Sequence, residues 1–137
     1  MKSKLFIVNL LIILLLTSCA IKKNFLLSPV VPAARGNVRI ETDKNKNYTI
    51  KVRIYNLAEA ERVTAHESTY VVWMETADQE IRNIGQIKST KKFMSKSMVA
   101  TLETKSAYKP VKIFLTAEEN SGAKTPDDQI VLSTERF

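Results

Sequence analysis

Across residues 36–132 the hydrophobic positions recur mostly at every second residue, the spacing of a strand rather than of a helix. The cleanest stretch is 48–55, where Tyr48, Ile50, Val52 and Ile54 alternate with Thr49, Lys51, Arg53 and Tyr55. An extended chain sends the two sets to opposite faces, so the pattern predicts an antiparallel strand with one dry and one wet face. Before it, from Gly36, Val38 and Ile40 oppose Arg39 and Glu41 in the same way, and the polar run 42–47 between the two predicts a turn held by local side-chain to backbone bonds. Residues 69–76 are β-branched and aromatic and apolar on both faces from Tyr70 to Met74, which predicts a central strand covered on both sides over its middle. Residues 77–80 turn the chain and 81–88 return it, marked by Ile81, Ile84 and Ile87, with Gly85 predicting a bulge or a close packing contact. Shorter period-two runs follow at Met98, Ala100 and Leu102 and at Val111, Ile113 and Leu115, and Ile130, Val131 and Leu132 close the series. Residues 56–68 predict a connection between sheets, with one helical turn possible at 58–62, and 117–129 a long polar connection holding Gly122 and Pro126. Seven or so short strands at spacings near ten residues predict an all-β fold, an antiparallel β-sandwich.

Ahead of this body the pattern differs twice. Residues 20–35 hold Pro29, Pro32 and one apolar cluster, Phe25, Leu26 and Leu27. Proline fixes φ and removes an amide donor, so the stretch predicts an extended tether, with a short edge strand near 26–31. Fully stretched it reaches on the order of 50 Å at about 3.3 Å per residue. The first nineteen residues run Met1, Lys2, Ser3 and Lys4, then apolar from Leu5 to Leu16, then Thr17, Ser18 and Cys19. An apolar run of about a dozen residues is short of the roughly 20 that cross a bilayer. With a basic flank before it and small residues after it, the run reads as an export signal.

Leu16, Thr17, Ser18 and Cys19 resemble the lipobox of bacterial lipoproteins: an aliphatic residue, two small ones, then cysteine. The resemblance implies a thioether-linked lipid on Cys19, cleavage before it, and a mature chain that begins with the lipidated cysteine. An ordinary secretory peptide with a chance cysteine is the competing reading. The expected organisation is a signal peptide at 1–18, a lipidated tether at 19–35 and one β-sandwich domain at 36–137. Lipoproteins of two-membrane bacteria that keep aspartate after the cysteine tend to stay on the inner membrane. Ala20 stands there instead, which implies the outer membrane if there are two.

Composition narrows the function. About 119 residues follow the leader, the size of one domain able to bury a core without disulfides or a metal. Cys19 is the only cysteine, so no disulfide within the mature chain is possible. Taking Lys2 and Lys4 from the 21 basic residues leaves 19 against 14 acidic ones, a balance of +5. Such a balance could favour anionic envelope polymers or lipid head groups, but the lysines are spread along the whole chain, which favours an evenly solvated basic surface. Nucleic acid is not expected, because no aromatic stacking pattern accompanies the basic residues.

A second resemblance rests on Tyr70, Val71, Val72 and Trp73, the return strand through Asn83, Gly85 and Ile87, and Thr116, Ala117 and Glu118 ahead of a loop with Gly122 and Pro126. Together these are similar to the extracytoplasmic domain of the anti-sigma-K factor family, which implies an immunoglobulin-like sandwich. That family binds its polymerase subunit through a cytoplasmic helical region. Only four residues precede the apolar run here, so sequestration of a sigma factor is not expected. What the resemblance leaves is a role as an accessory of envelope-stress signalling from the extracytoplasmic side.

The chemical inventory is thin. The single histidine, His66, stands beside Glu67 and Ser68, but neighbours in an extended segment point to opposite faces, so a loop histidine is expected rather than a triad. Glu118 and Glu119 with Asp127 and Asp128 are the one acidic grouping able to offer oxygen ligands to calcium, without the spacing of a calcium loop. No phosphate cradle is present. The expectation is a non-catalytic module with no cofactor or metal, whose partners are membrane lipid through acylated Cys19 and an envelope protein or anionic polymer. Tyr55, Phe93 and Tyr108 are candidates for a recognition patch. The basic loop with Lys91, Lys92, Phe93, Met94 and Lys96 is the candidate contact surface, since cations beside apolar side chains suit an anionic membrane.

Overall fold

The computed structural model describes residues 19–87, 90–91 and 98–137. Its strands are β1 (Ala20–Asn24), β2 (Arg35–Thr42), β3 (Tyr48–Tyr55), β4 (Thr69–Thr76), β5 (Ile81–Ile87), β6 (Thr90–Lys91), β7 (Met98–Ser106), β8 (Pro110–Glu118) and β9 (Ile130–Ser133), with one helical turn, α1 (Ala60–Val63), between β3 and β4. They form an all-β sandwich of two antiparallel sheets, one in the order β1-β2-β3-β7-β6 and the other β5-β4-β8-β9. Among the described residues no helix is long and apolar enough to cross a membrane.

The period-two pattern is what builds the core. Val38 and Ile40 of β2, Ile50, Val52 and Ile54 of β3 and Ala100 of β7 share one buried cluster with Tyr70, Val72 and Met74 of β4, Ile113 and Leu115 of β8 and Leu132 of β9. Each large aliphatic side chain removed from water there contributes roughly 1.5–3 kcal/mol. Two glycines are fixed by geometry. A Cβ at Gly36 would stand 2.4 Å from the backbone oxygen of Arg53, on the neighbouring strand. Gly85 has φ of +138° and faces Leu102, at a register shift of β5 against β4, so the bulge and the close contact expected at this residue are both present.

The outer faces of the two sheets differ. On the four-stranded sheet a second cluster of Val71, Trp73 and Phe114 is packed by Ala123 from the 119–129 connection. Asn83 donates from its side-chain amide to the carbonyls of Ser121 and Ala123, both at 3.0 Å, and so ties that connection down. β4 is therefore covered on both sides, as its pattern predicts, and the polar connection is the cover.

Residues 20–34 correct the tether expectation. β1 pairs with β2 along its whole length, Ala20 opposite Glu41 through Asn24 opposite Asn37. The chain then crosses to the other sheet: the Phe25 amide donates to the Gly36 carbonyl at 3.0 Å, Phe25 bridges to Thr134, and the Leu26 amide donates to the Ser133 carbonyl at 2.8 Å. Phe25, Val31 and Ala34 are buried in the core, and the Ser28 hydroxyl donates to the Val131 carbonyl and accepts from the Val30 and Val31 amides. The edge strand lies at 20–24 instead of 26–31. Sequence pattern missed it because an edge strand rich in lysine carries no apolar alternation.

Elsewhere the correspondence is close. Asp43 accepts from the Asn45 and Asn47 amides at 2.8 and 2.9 Å, which holds the expected turn and keeps its carboxyl below the usual range, chiefly through the Asn47 bond. β7 continues to Ser106, past the predicted Leu102, because Glu103 and Lys105 are its wet face. Of the expected basic hairpin loop, β6 is a described element, and residues 88–89 and 92–97 lie outside the described residues.

Candidate functional site

Cys19 is a free, exposed thiol placed directly before β1. Ala20 opposes Glu41, so the cysteine stands at the edge of the five-stranded sheet, at the end that holds the 43–47 and 107–109 turns. One peptide unit, about 3.8 Å between α-carbons, separates it from the first paired residue. A lipid carried on this sulfur would begin at the sheet itself. Of the candidate contact loop, Lys91 belongs to β6, opposite Met98, while Lys92, Phe93 and Lys96 lie outside the described residues.

The opposite end of the sandwich gathers Glu67, Glu118, Glu119 and Asp127. Glu118 is buried and its Oε1 accepts from the Thr116 hydroxyl and, at 2.9 Å, from the Asp127 amide. Thr116 Oγ1 in turn accepts from Trp73 Nε1 at 2.7 Å, so the tryptophan, the threonine and the glutamate form one chain of bonds that closes the cover over β4. Glu67 is pushed up by burial and then by the charges of Asp127, Glu118 and Glu119. His66 sits in an exposed turn, and the Ser68 hydroxyl donates to the Glu119 carbonyl at 2.7 Å. The serine is thus engaged with backbone and not with the histidine. Among the described residues no group of three or more histidine, cysteine, aspartate or glutamate side chains is placed to hold a metal ion.

Beside this cluster a hollow of about 240 Å³ is lined by Glu59, Glu61, Ser68, Tyr70 and Ile87. The Tyr70 hydroxyl is buried there without a hydrogen-bond partner, and burial, with smaller contributions from Glu61 and Glu67, pushes its pKa up to about 12. It remains a phenol at neutral pH and has a hydrogen bond to offer. Tyr55 and Tyr108 do not form a patch. Tyr55 ends β3 opposite Val99, whereas Tyr108 follows Ser106 at the other end of β7, with the Arg82 guanidinium 3.8 Å from its ring centre.

Pattern reasoning assigned a wet face to β3 without showing what it adjoins. The register sets Lys22, Arg39 and Lys51 side by side across β1, β2 and β3, and Arg53 next along the same face. A groove of about 540 Å³ runs over them, bordered also by Tyr55 and Glu103. Glu41 bonds Arg39 at 2.7 Å and Lys51 at 3.2 Å, which hold its carboxyl below the usual range, Arg39 first. Lys22 and Arg53 have no carboxylate partner among the described residues. No protein-family model, no curated protein and no solved structure matches this chain.

Proposed function

We propose that the protein is a lipid-anchored, non-catalytic module of the bacterial cell envelope, held on the extracytoplasmic side by acyl chains on Cys19. The observation that carries this reading is the position of the only cysteine, exposed and immediately ahead of the first strand, behind an aliphatic residue and two small ones. A sulfur there is open to a modifying enzyme, and the lipid it receives leaves the folded body undisturbed. Several acyl chains on one residue hold a protein stably, whereas a single chain is marginal.

The strand order supports an immunoglobulin-like assignment for the body. β2-β3-β7-β6 against β9-β8-β4-β5 follows the two-sheet order of that fold, with β1 added at one edge. A shared sandwich does not imply a shared partner, so the likeness to anti-sigma-K outer domains speaks to architecture alone. Detergent phase partition tests the anchor. Wild-type protein enters the detergent phase and the Cys19→Ser protein stays with its leader uncleaved. Detergent partition of a cleaved Cys19→Ser protein equal to that of wild type would contradict acylation at this residue.

A further inference from the structure

The described residues leave the outer face of the five-stranded sheet uncovered, while its counterpart on the other sheet is closed over Trp73 by the 119–129 connection. Like charges set directly opposite one another on neighbouring strands destabilise a sheet. This face nevertheless aligns Lys22, Arg39 and Lys51 across three strands at about 4.8 Å per strand. Arg53, beside them, and Lys105, farther along β7, add to the excess; among the described residues Glu41 and Glu103 stand against it on the strands, and Asp43 in the turn lies near Lys105. Glu41 is already shared between Arg39 and Lys51. An exposed, shallowly grooved face with an excess of cations is complementary to an array of phosphates.

We infer that this face docks on the anionic phospholipid head groups of the membrane that holds Cys19, so that the sandwich lies on its five-stranded sheet instead of standing off the bilayer. The proposal rests on the acylation of Cys19. Charge complementarity selects the occupant, and the anchor selects its source: Cys19 directly precedes the edge strand of this same sheet, with no tether to carry the face away from the lipid. The two attachments then divide the work: the acyl chains at the edge hold the protein on the bilayer, and the cationic sheet beside them sets its orientation.

Amine labelling of the mature lipidated protein, read lysine by lysine by mass spectrometry, tests this on vesicles of phosphatidylcholine with or without about one third phosphatidylglycerol. Lys22 and Lys51 are expected to label on the order of fivefold more slowly on the anionic vesicles, with the protection lost in 1 M salt, where the screening length falls to about 3 Å. Lys124, on the covered side, labels alike on both and serves as the internal reference. Arg39→Gln with Arg53→Gln abolishes the protection while the protein stays in the vesicle pellet. Equal labelling of Lys22 and Lys51 on both vesicle types, with the protein pelleted by both, overturns the docked orientation and leaves the anchor intact. Protection by soluble polyphosphate but not by vesicles assigns the face to a polymer and overturns the proposal as well. Protein that stays in the supernatant of zwitterionic vesicles overturns the anchor reading, and the docking with it.

Discussion

At the scale of single residues, the sandwich is most sensitive where a side chain has no room or no partner. At Gly36 an added Cβ meets backbone of the adjacent strand, which cannot swing aside as a side chain would. Gly36→Ala is therefore expected to destabilise the fold by about 2 kcal/mol or more. Gly122→Ala, whose nearest neighbour is a side-chain oxygen at 3.4 Å, changes stability by less than about 0.5 kcal/mol. Urea unfolding of the two variants compares them directly, and equal costs would show that the β2-β3 approach is looser than described. Glu67 gives a pH signature. Burial and neighbouring carboxylates raise its folded pKa above the ordinary value of 4.5, so the native state binds more protons than the unfolded chain in that window. Its penalty is absent below the unfolded pKa and is felt in full once pH rises past the folded one. Glu67→Gln removes the penalty: the variant is expected to melt about 1–2 °C higher at pH 7 and level with wild type near pH 4. A gain that persists at pH 4 would point to a cause other than this charge. Glu41 and Asp43 act in the opposite direction, since their lowered values stabilise the fold above their unfolded pKa and that contribution is lost as pH falls through the folded pKa.

Elements with alternating polarity were legible in the sequence, and those defined by long-range pairing were not. The 48–55 strand, the doubly covered 69–76 strand and the 43–47 turn follow from spacing and turn chemistry, because each announces itself within a few residues. β1 does not. Its five residues contain two lysines and one asparagine, and only the ladder to β2 makes them a strand. The same holds for the site. Cys19 could be singled out from local sequence, whereas the alignment of Lys22, Arg39 and Lys51 exists only once the registers are known. The stretch 25–34 supplies the sharpest test at this scale. As an element packed between the sheets it makes Phe25→Ala cost about 3 kcal/mol in urea unfolding at unchanged m value. A free tether would leave the midpoint where it is in wild type.

For the whole molecule, the consequence of folding residues 20–34 into the body is mechanical. A stretch that could have extended on the order of 50 Å is instead consumed by the sandwich, and Cys19 directly adjoins the sheet. Under the proposed acylation, anchor and body would move as one unit, and orientation on the membrane would follow from which face of the sheet is charged. The opposite end, with Glu119 and Asp127 exposed and Glu67 half-buried around the buried Glu118, would in that orientation be directed along the surface or away from it. Everything at this scale depends on the chemistry of one atom. The most direct test is the intact mass of the protein extracted from bacterial membranes, followed by fragmentation of its N-terminal peptide. The account predicts a chain that starts at Cys19 and carries a diacylglyceryl group on the sulfur. A chain that retains residues 1–18, or one that starts at Cys19 or later with no lipid attached, would contradict it.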